Sequence, residues 1–367
     1  MKIFVEKSSF SNELKLFQGI FEKKTLMDIL QNIKLTAVEN GLLELVATDL
    51  EIGLQSTIKV DVEEPGSLTV NGKDFYDLIS RMPDGIVEIS ENNDLQIVIT
   101  NEKKTSKYKL LGLQASNYPQ LPEADFASAV TLTMKPLATM INRNYYIISP
   151  EMKFNLGGAL LSIGESGFEM AATDGHRLSF SKFDCDLAVD SAQEFIVSRK
   201  TLMELNKIGV DGEFDFTFDK NNLFFKYNNK VLSARVIDQK FPNYKAVIPE
   251  STKYKAIVDT SQLLTTLRRV LVFKTRNNGV FFKFSEGKLT LERTTPEKGE
   301  AHDEMDIEYS GESFSVAFNG NFIVDFLTHI DSEQIEIGMN DNDSSFIFKP
   351  IQDEDIHYIY VVMPLNI

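Results

Sequence analysis

Four residues in one short phrase carry the side chains most able to do chemistry. In Ala172-Thr-Asp-Gly-His-Arg177 a hydroxyl (Thr173), a carboxylate (Asp174), an imidazole (His176) and a guanidinium (Arg177) fall close together. A hydroxyl, a carboxylate and an imidazole are the parts of a hydrolytic triad. The elbow that exposes such a nucleophile needs Gly-x-Ser-x-Gly. The nearest phrase, Gly164-Glu-Ser-Gly167, is one residue too short. Asp174-Gly175 reads better as a tight turn between two strands, with His176 partly exposed beside it.

The other reactive types lead no further. Cys185, the single cysteine, lies between Asp184 and Asp186, and negative neighbours raise a thiol pKa rather than activate it. His302, His329 and His357 have no metal-ligand spacing. Asp341-Asn-Asp343 begins like a calcium loop but lacks its Gly and distal Glu. No glycine-rich phosphate loop ends in Gly-Lys-Ser/Thr. The expectation is a protein that is not an enzyme, with no catalytic residues, no metal and no cofactor.

The elements that would hold these residues are repeated. Ala47-Thr-Asp-Leu-Glu51 and Ala172-Thr-Asp-Gly-His176 each follow an apolar stretch, at an offset of 125. Asn117-Tyr-Pro-Gln-Leu-Pro122 and Asn243-Tyr-Lys-Ala-Val-Ile-Pro249 recur at an offset of 126. The last third matches more weakly, with Leu289-Thr-Leu-Glu-Arg-Thr-Thr-Pro296 standing in the place of the Ala-Thr-Asp phrase. At roughly 100–200 residues per domain, this length allows two or three domains. The repeat selects three, 1–127, 128–252 and 253–367.

Each third offers two segments with apolar residues at helical spacing, such as Phe10, Leu14, Phe17 and Phe21, then Phe75, Leu78, Ile79 and Met82. Six helices are expected. Between them lie short alternating strands, with a plain hairpin signal at Phe214-Asp-Phe-Thr-Phe218 and Leu223-Phe-Phe-Lys-Tyr227. The expected class is α+β, with sheets outnumbering helices. Met1 to Val5 reads as a first strand and lacks the apolar core of a signal peptide. No run approaches the ~18–20 apolar residues of a membrane helix, and one cysteine suits a reducing cytoplasm.

The net charge of −16 argues against nucleic acid, but its distribution is uneven. The six helical segments together carry +6 and the rest of the chain −22. If the helices share a face, that face attracts phosphate and the remainder repels it.

Leu156-Gly-Gly-Ala-Leu160, Ala171-Ala-Thr-Asp-Gly-His-Arg-Leu-Ser179, Phe241-Pro-Asn-Tyr-Lys-Ala-Val-Ile-Pro249 and Tyr360-Val-Val-Met-Pro-Leu-Asn-Ile367 resemble the bacterial sliding clamps, the beta subunit of DNA polymerase III. The resemblance runs the full length. It implies the DNA-clamp fold: three similar domains, each with two inner helices and outer antiparallel sheets, and two subunits joined head to tail in a ring of twelve helices. With no phosphate loop in the chain, closing that ring on DNA would need an outside motor. The implied partners are duplex DNA, a second copy of the chain, the DNA polymerase III catalytic subunit, the clamp loader and other proteins with a clamp-binding motif, and no membrane.

Among the helix cations, Lys24, Arg199, Lys200, Arg268 and Arg269 are the candidates to face DNA. The resemblance assigns further residues. Tyr108 and Leu110 at one end would meet Leu271 and Val272 at the other. One wall of a partner-peptide pocket would be Leu156, Thr173, Gly175, His176, Arg177, Leu178, Pro242 and Val247. The other would be the apolar chain end, Val361, Val362, Met363, Pro364 and Leu365. A final core strand explains Tyr360 to Val362 but not the continuation through Leu365, since proline ends strand pairing.

Three positions depart from the family pattern. Ala246 stands where Arg is frequent, Phe154-Asn155 where some members carry an aromatic pair, and Leu365-Asn-Ile367 where a Met/Arg/Leu-type ending is common. Two rival readings remain at this level. One is a metal-dependent nucleic-acid enzyme using paired carboxylates. The other is a β-rich scaffold with no DNA role.

Overall fold

The computed structural model describes all residues except 22–26, 93–94, 149–156, 188, 190, 210, 274–276, 296–298, 352–354 and 366–367. Among the described residues there are six α-helices: α1 (Lys7–Leu16), α2 (Gly72–Arg81), α3 (Met134–Asn144), α4 (Arg199–Ile208), α5 (Thr260–Val270) and α6 (Gly320–Thr328). They fall two to each third, as the apolar spacing predicts. None of the helices is long and apolar enough to cross a membrane.

Every strand pairing is antiparallel. The expected hairpin forms between Glu213–Phe218 and Asn222–Tyr227. The chain divides into two compact units, Met1–Met134 with Lys200–Val236, and Lys135–Arg199 with Ile237–Ile367. These boundaries cut across the sequence thirds, and strand pairing supplies the reason. In the first unit the strand Ile52–Lys59 pairs with Lys230–Arg235, so one sheet of thirteen strands runs from the first third into the second. In the second unit Arg177–Asp184 pairs with His357–Val362 in the same way, giving a sheet of eight. A separate four-stranded sheet completes that unit.

Within the first unit α1 and α2 pack side by side, with the Phe10 and Phe75 rings edge to face at 5.8 Å. Phe10, Leu14, Phe75 and Ile79 are fully or nearly fully buried, so the apolar stripe seen in the sequence is the stripe that packs. In the second unit α5 and α6 pair likewise, and Phe326 of α6 stacks on Tyr360 at 5.0 Å. Helices α1, α2, α5 and α6 start on side-chain caps. Asn71 accepts from the Asp74 N–H and Asp259 from the Gln262 N–H, each satisfying a donor the helix leaves unpaired.

Helix α1 is capped by Glu6, whose carboxylate accepts from the Ser9 and Ser8 N–H groups. Those bonds favour the ionised form and hold the Glu6 carboxyl at about 2, against an ordinary value of 4.5. A depressed carboxylate contributes stability above its unfolded value and loses it as pH falls through the folded one. Acid should therefore loosen α1 between about pH 4.5 and 2. Melting at pH 6 and pH 3 should show a smaller acid loss for Glu6→Gln than for the parent chain. An equal loss would remove Glu6 as the cause.

Candidate functional site

The site grows from the hairpin of Gly167–Thr173 and Arg177–Asp184 in the second unit. Its turn is tied from within. The Asp174 Oδ1 accepts from the His176 and Arg177 N–H groups, both at 3.0 Å. The Thr173 hydroxyl donates to the Arg177 carbonyl at 2.8 Å and accepts from the Gly175 N–H. Gly175 sits at φ +84°, where a side chain would be strained. Its Cα faces open space, so a ligand backbone can come close.

Arg177 anchors this turn to the rest of the unit. Its Nε donates to Asp174 Oδ2 at 2.9 Å and its Nη1 to Asp325 Oδ2 of α6 at 2.7 Å. Nη1 also reaches the Tyr360 hydroxyl at 3.3 Å. The guanidinium lies over the Phe322 ring at 4.2 Å. Burial works against its charge, but Tyr360, Asp325 and Asp174 outweigh that and raise its pKa above the ordinary value. The carboxylate of Asp174 is thus committed to Arg177 and the turn backbone, and the four suggestive residues form a scaffold.

The opposite side comes from the chain end. The Met363 N–H donates to the His176 carbonyl at 2.9 Å, and the Leu365 N–H to the Ala317 carbonyl at 2.7 Å. Strand alternation decides which residues face the pocket. Val361 and Met363 line it, while Val362 is fully buried on the other face of the strand. Tyr244 closes the third side, stacked on Phe180 at 5.7 Å and edge-on to Phe241 at 6.0 Å. Burial, then the carboxylates of Glu169 and Glu194, push its phenol up. The result is a cavity of about 260 Å³. Three of its lining residues, Leu178, Tyr244 and Val361, belong to a buried core cluster with Leu160, Ala171 and Ile196.

Of the nominated pocket residues, Thr173, Gly175, His176, Arg177, Leu178, Pro242, Val247, Val361 and Met363 come together around this cavity. Leu156 lies outside the described residues. Pro364 and Leu365 follow the wall without lining the cavity. Gly158, Phe241, Asn243 and Tyr244 line it and were not nominated. Tyr244 had a signal, since Asn243-Tyr244 opens a repeated phrase whose first copy holds Tyr118, and Phe241 stands in the phrase Phe241-Pro-Asn-Tyr that carries the family resemblance.

The remaining candidates lie on other elements. Lys24 is outside the described residues. Arg199 donates from Nε to the Tyr145 carbonyl at 3.2 Å. Lys200 is paired with Asp49, and Arg269 with Asp303 at 2.6 Å. Arg268 is exposed on α5, with no ion-pair partner among the described residues. Tyr108 and Leu110 lie on the strand Lys107–Leu113, and Leu271 and Val272 just beyond α5, where Val272 is 71% exposed. Among the described residues no three of His, Cys, Asp and Glu gather as for a metal. The Cys185 thiol is pushed up by burial and by Asp186 and Asp184.

Helix pairs carried on antiparallel sheets, with a mostly apolar pocket whose charged groups are satisfied by one another, define a docking protein of the DNA-clamp class. Three family models match in order: the N-terminal domain of the DNA polymerase III beta subunit over residues 1–122, the central domain over 131–243 and the C-terminal domain over 245–366. The chain belongs to the DNA polymerase III beta subunit family, the bacterial sliding clamps, which are non-catalytic processivity factors. A beta sliding clamp of Staphylococcus aureus is 28% identical, over all of this chain and 99% of that one. A clamp structure from Pseudomonas aeruginosa, bound to griselimycin, superposes with a TM-score of 0.93 at 25% identity and covers both chains completely. The Thermotoga maritima beta subunit gives 0.92 at 25% identity, covering all of this chain and 99% of that one.

Proposed function

We propose that two copies of this chain close head to tail around duplex DNA, and that the pocket beside Gly175 tethers the DNA polymerase III catalytic subunit, the clamp loader and other proteins bearing a clamp-binding motif. The pocket carries this reading. It is preformed and mostly apolar, and its polar wall is already satisfied, so it suits a short extended peptide with apolar anchors. Each buried anchor contributes on the order of 1.5–3 kcal/mol, so two supply about 3–6 of the roughly 8 kcal/mol that micromolar binding needs, and further contacts along the peptide supply the rest.

Two strand edges support the ring. Lys107–Leu113 pairs along one side, and on the other only at Gly112 and Leu113. Its open stretch exposes Lys107, Tyr108 and Lys109. Gly299–Asp306 ends the four-stranded sheet and exposes Glu300, Glu304 and Asp306. An open basic edge and an open acidic edge on one chain pair head to tail with a second copy, which blunts the hazard of unpaired strands. Tyr108 and Leu110 would then meet Leu271 and Val272. In this assembly the domains are 1–127, 128–252 and 253–367, the helices face DNA, and contact is sequence-independent. The setting is the cytoplasm.

The grip is topological, so DNA ends should release the protein. A chain loaded by a clamp loader should stay on nicked circles and leave linear fragments of the same length within the assay. Light scattering alongside should give twice the 41.5 kDa chain mass. Equal retention on both templates would overturn the ring.

A further inference from the structure

We propose that Asp49 and Asp303 set how strongly this protein holds DNA, by occupying helix cations that would otherwise meet phosphates. The inference rests on the reading that the helices face DNA, and it deepens that reading.

The two repeated turns use the same acceptor differently. In the first, Asp49 Oδ1 accepts from the Glu51 and Ile52 N–H groups, at 2.9 and 2.7 Å. In the second, Asp174 Oδ1 does the same for His176 and Arg177. The second oxygen of Asp174 then takes the Arg177 guanidinium. At the matching place in the first turn stands Ile52, which offers no cation. The free oxygen of Asp49 takes the ammonium of Lys200 from α4 instead. The Asp49 side chain is 4% exposed and that of Lys200 36%. A buried carboxylate is ordinarily paired, so this bridge holds at rest, while the lysine remains within reach of solvent.

Arg269, in the last turn of α5, is held by a strand. Its Nε and Nη2 both reach Asp303 Oδ2, at 2.7 and 2.6 Å. Its neighbour Arg268 has no such partner among the described residues. Lys200 and Arg269 are thus neutralised at rest, and Arg268 is not.

Each phosphate contact adds about 0.9 to the slope of log affinity against log salt. The experiment is duplex DNA binding by the full-length chain across 50–200 mM salt. Arg268→Gln should lower the slope by about 0.9, and Lys200→Gln by less than half of that. Asp49→Asn keeps the turn acceptor but releases Lys200. It should steepen the slope by about 0.9, so that this fourfold rise in salt costs about 3.5-fold more affinity. Asp303→Asn should do the same through Arg269, with light scattering to check the assembly. Adding Lys200→Gln to Asp49→Asn should cancel the gain. A misfolded variant loses affinity, so a gain is not explained by damage. If Asp49→Asn fails to fold, the comparison of Lys200→Gln with Arg268→Gln still decides. Equal losses in that pair, or unchanged slopes in both folded aspartate variants, overturn the masking. No salt-dependent DNA binding by the parent chain overturns phosphate contact by the helix cations, and with it this inference, whereas the ring itself stands or falls on retention on nicked circles.

Discussion

Deleting residues 363–367 should abolish measurable binding of a polymerase-derived peptide while the chain stays folded and dimeric. The strand His357–Val362 ends before the cut and keeps its ladder to Arg177–Asp184. Among the described residues the deleted part contributes two backbone hydrogen bonds, from Met363 to His176 and from Leu365 to Ala317. It also removes the Met363 side chain, which is 41% exposed at the pocket and adaptable in shape. Losing one apolar wall costs about 2.7 kcal/mol or more. A roughly micromolar complex would then fall to about 0.1 mM or weaker, below calorimetric detection at tens of micromolar protein. Titration of both forms is the measurement. Undiminished affinity in the truncated chain, with its melting curve intact, would place the peptide elsewhere.

Arg177→Ala should be the most damaging single substitution in the pocket wall. The arginine side chain is 8% exposed and joins the turn carboxylate Asp174, the α6 carboxylate Asp325 and the Tyr360 hydroxyl. Removing it strands one largely buried acid and leaves the Phe322 ring uncovered. Breaking a buried pair from one side costs about 3–5 kcal/mol. Asp325 remains 41% exposed and recovers part of that through hydration. The expected loss is therefore about 2–4 kcal/mol, or a fall in melting temperature on the order of 10 °C. Arg177→Lys should recover only part, because an ammonium lacks the fork that reaches two acids at once. Asp325→Asn should add little once Arg177 is gone. A fall of under about 2 °C for Arg177→Ala would mean the network is dispensable.

Much of this was legible in the residues themselves, because the signals are local. Apolar spacing located six helices, since a helix buries a stripe and the stripe repeats every few residues. The paired Ala-Thr-Asp phrases marked two equivalent turns, and both turns close through the same hydrogen bonds because side chain and backbone groups lie within four residues of one another. Asp-Gly reported a turn needing positive φ. The apolar chain end reported a surface that a final strand alone does not explain.

Other features needed the fold. Lys200 reads as a free cation until the fold brings it to Asp49, 151 residues away. Arg177 reads as a reactive group until it meets Asp325, 148 residues on. Val362 reads as part of the pocket wall, but pairing with Arg177–Asp184 turns it inward and leaves Val361 and Met363 on the open face. The compact units likewise cross the sequence thirds because Ile52–Lys59 takes its neighbour from Lys230–Arg235. Periodicity and turn chemistry are written in adjacent residues. Which carboxylate reaches which cation depends on strand register and helix placement across the whole chain, and only the tertiary structure decides it.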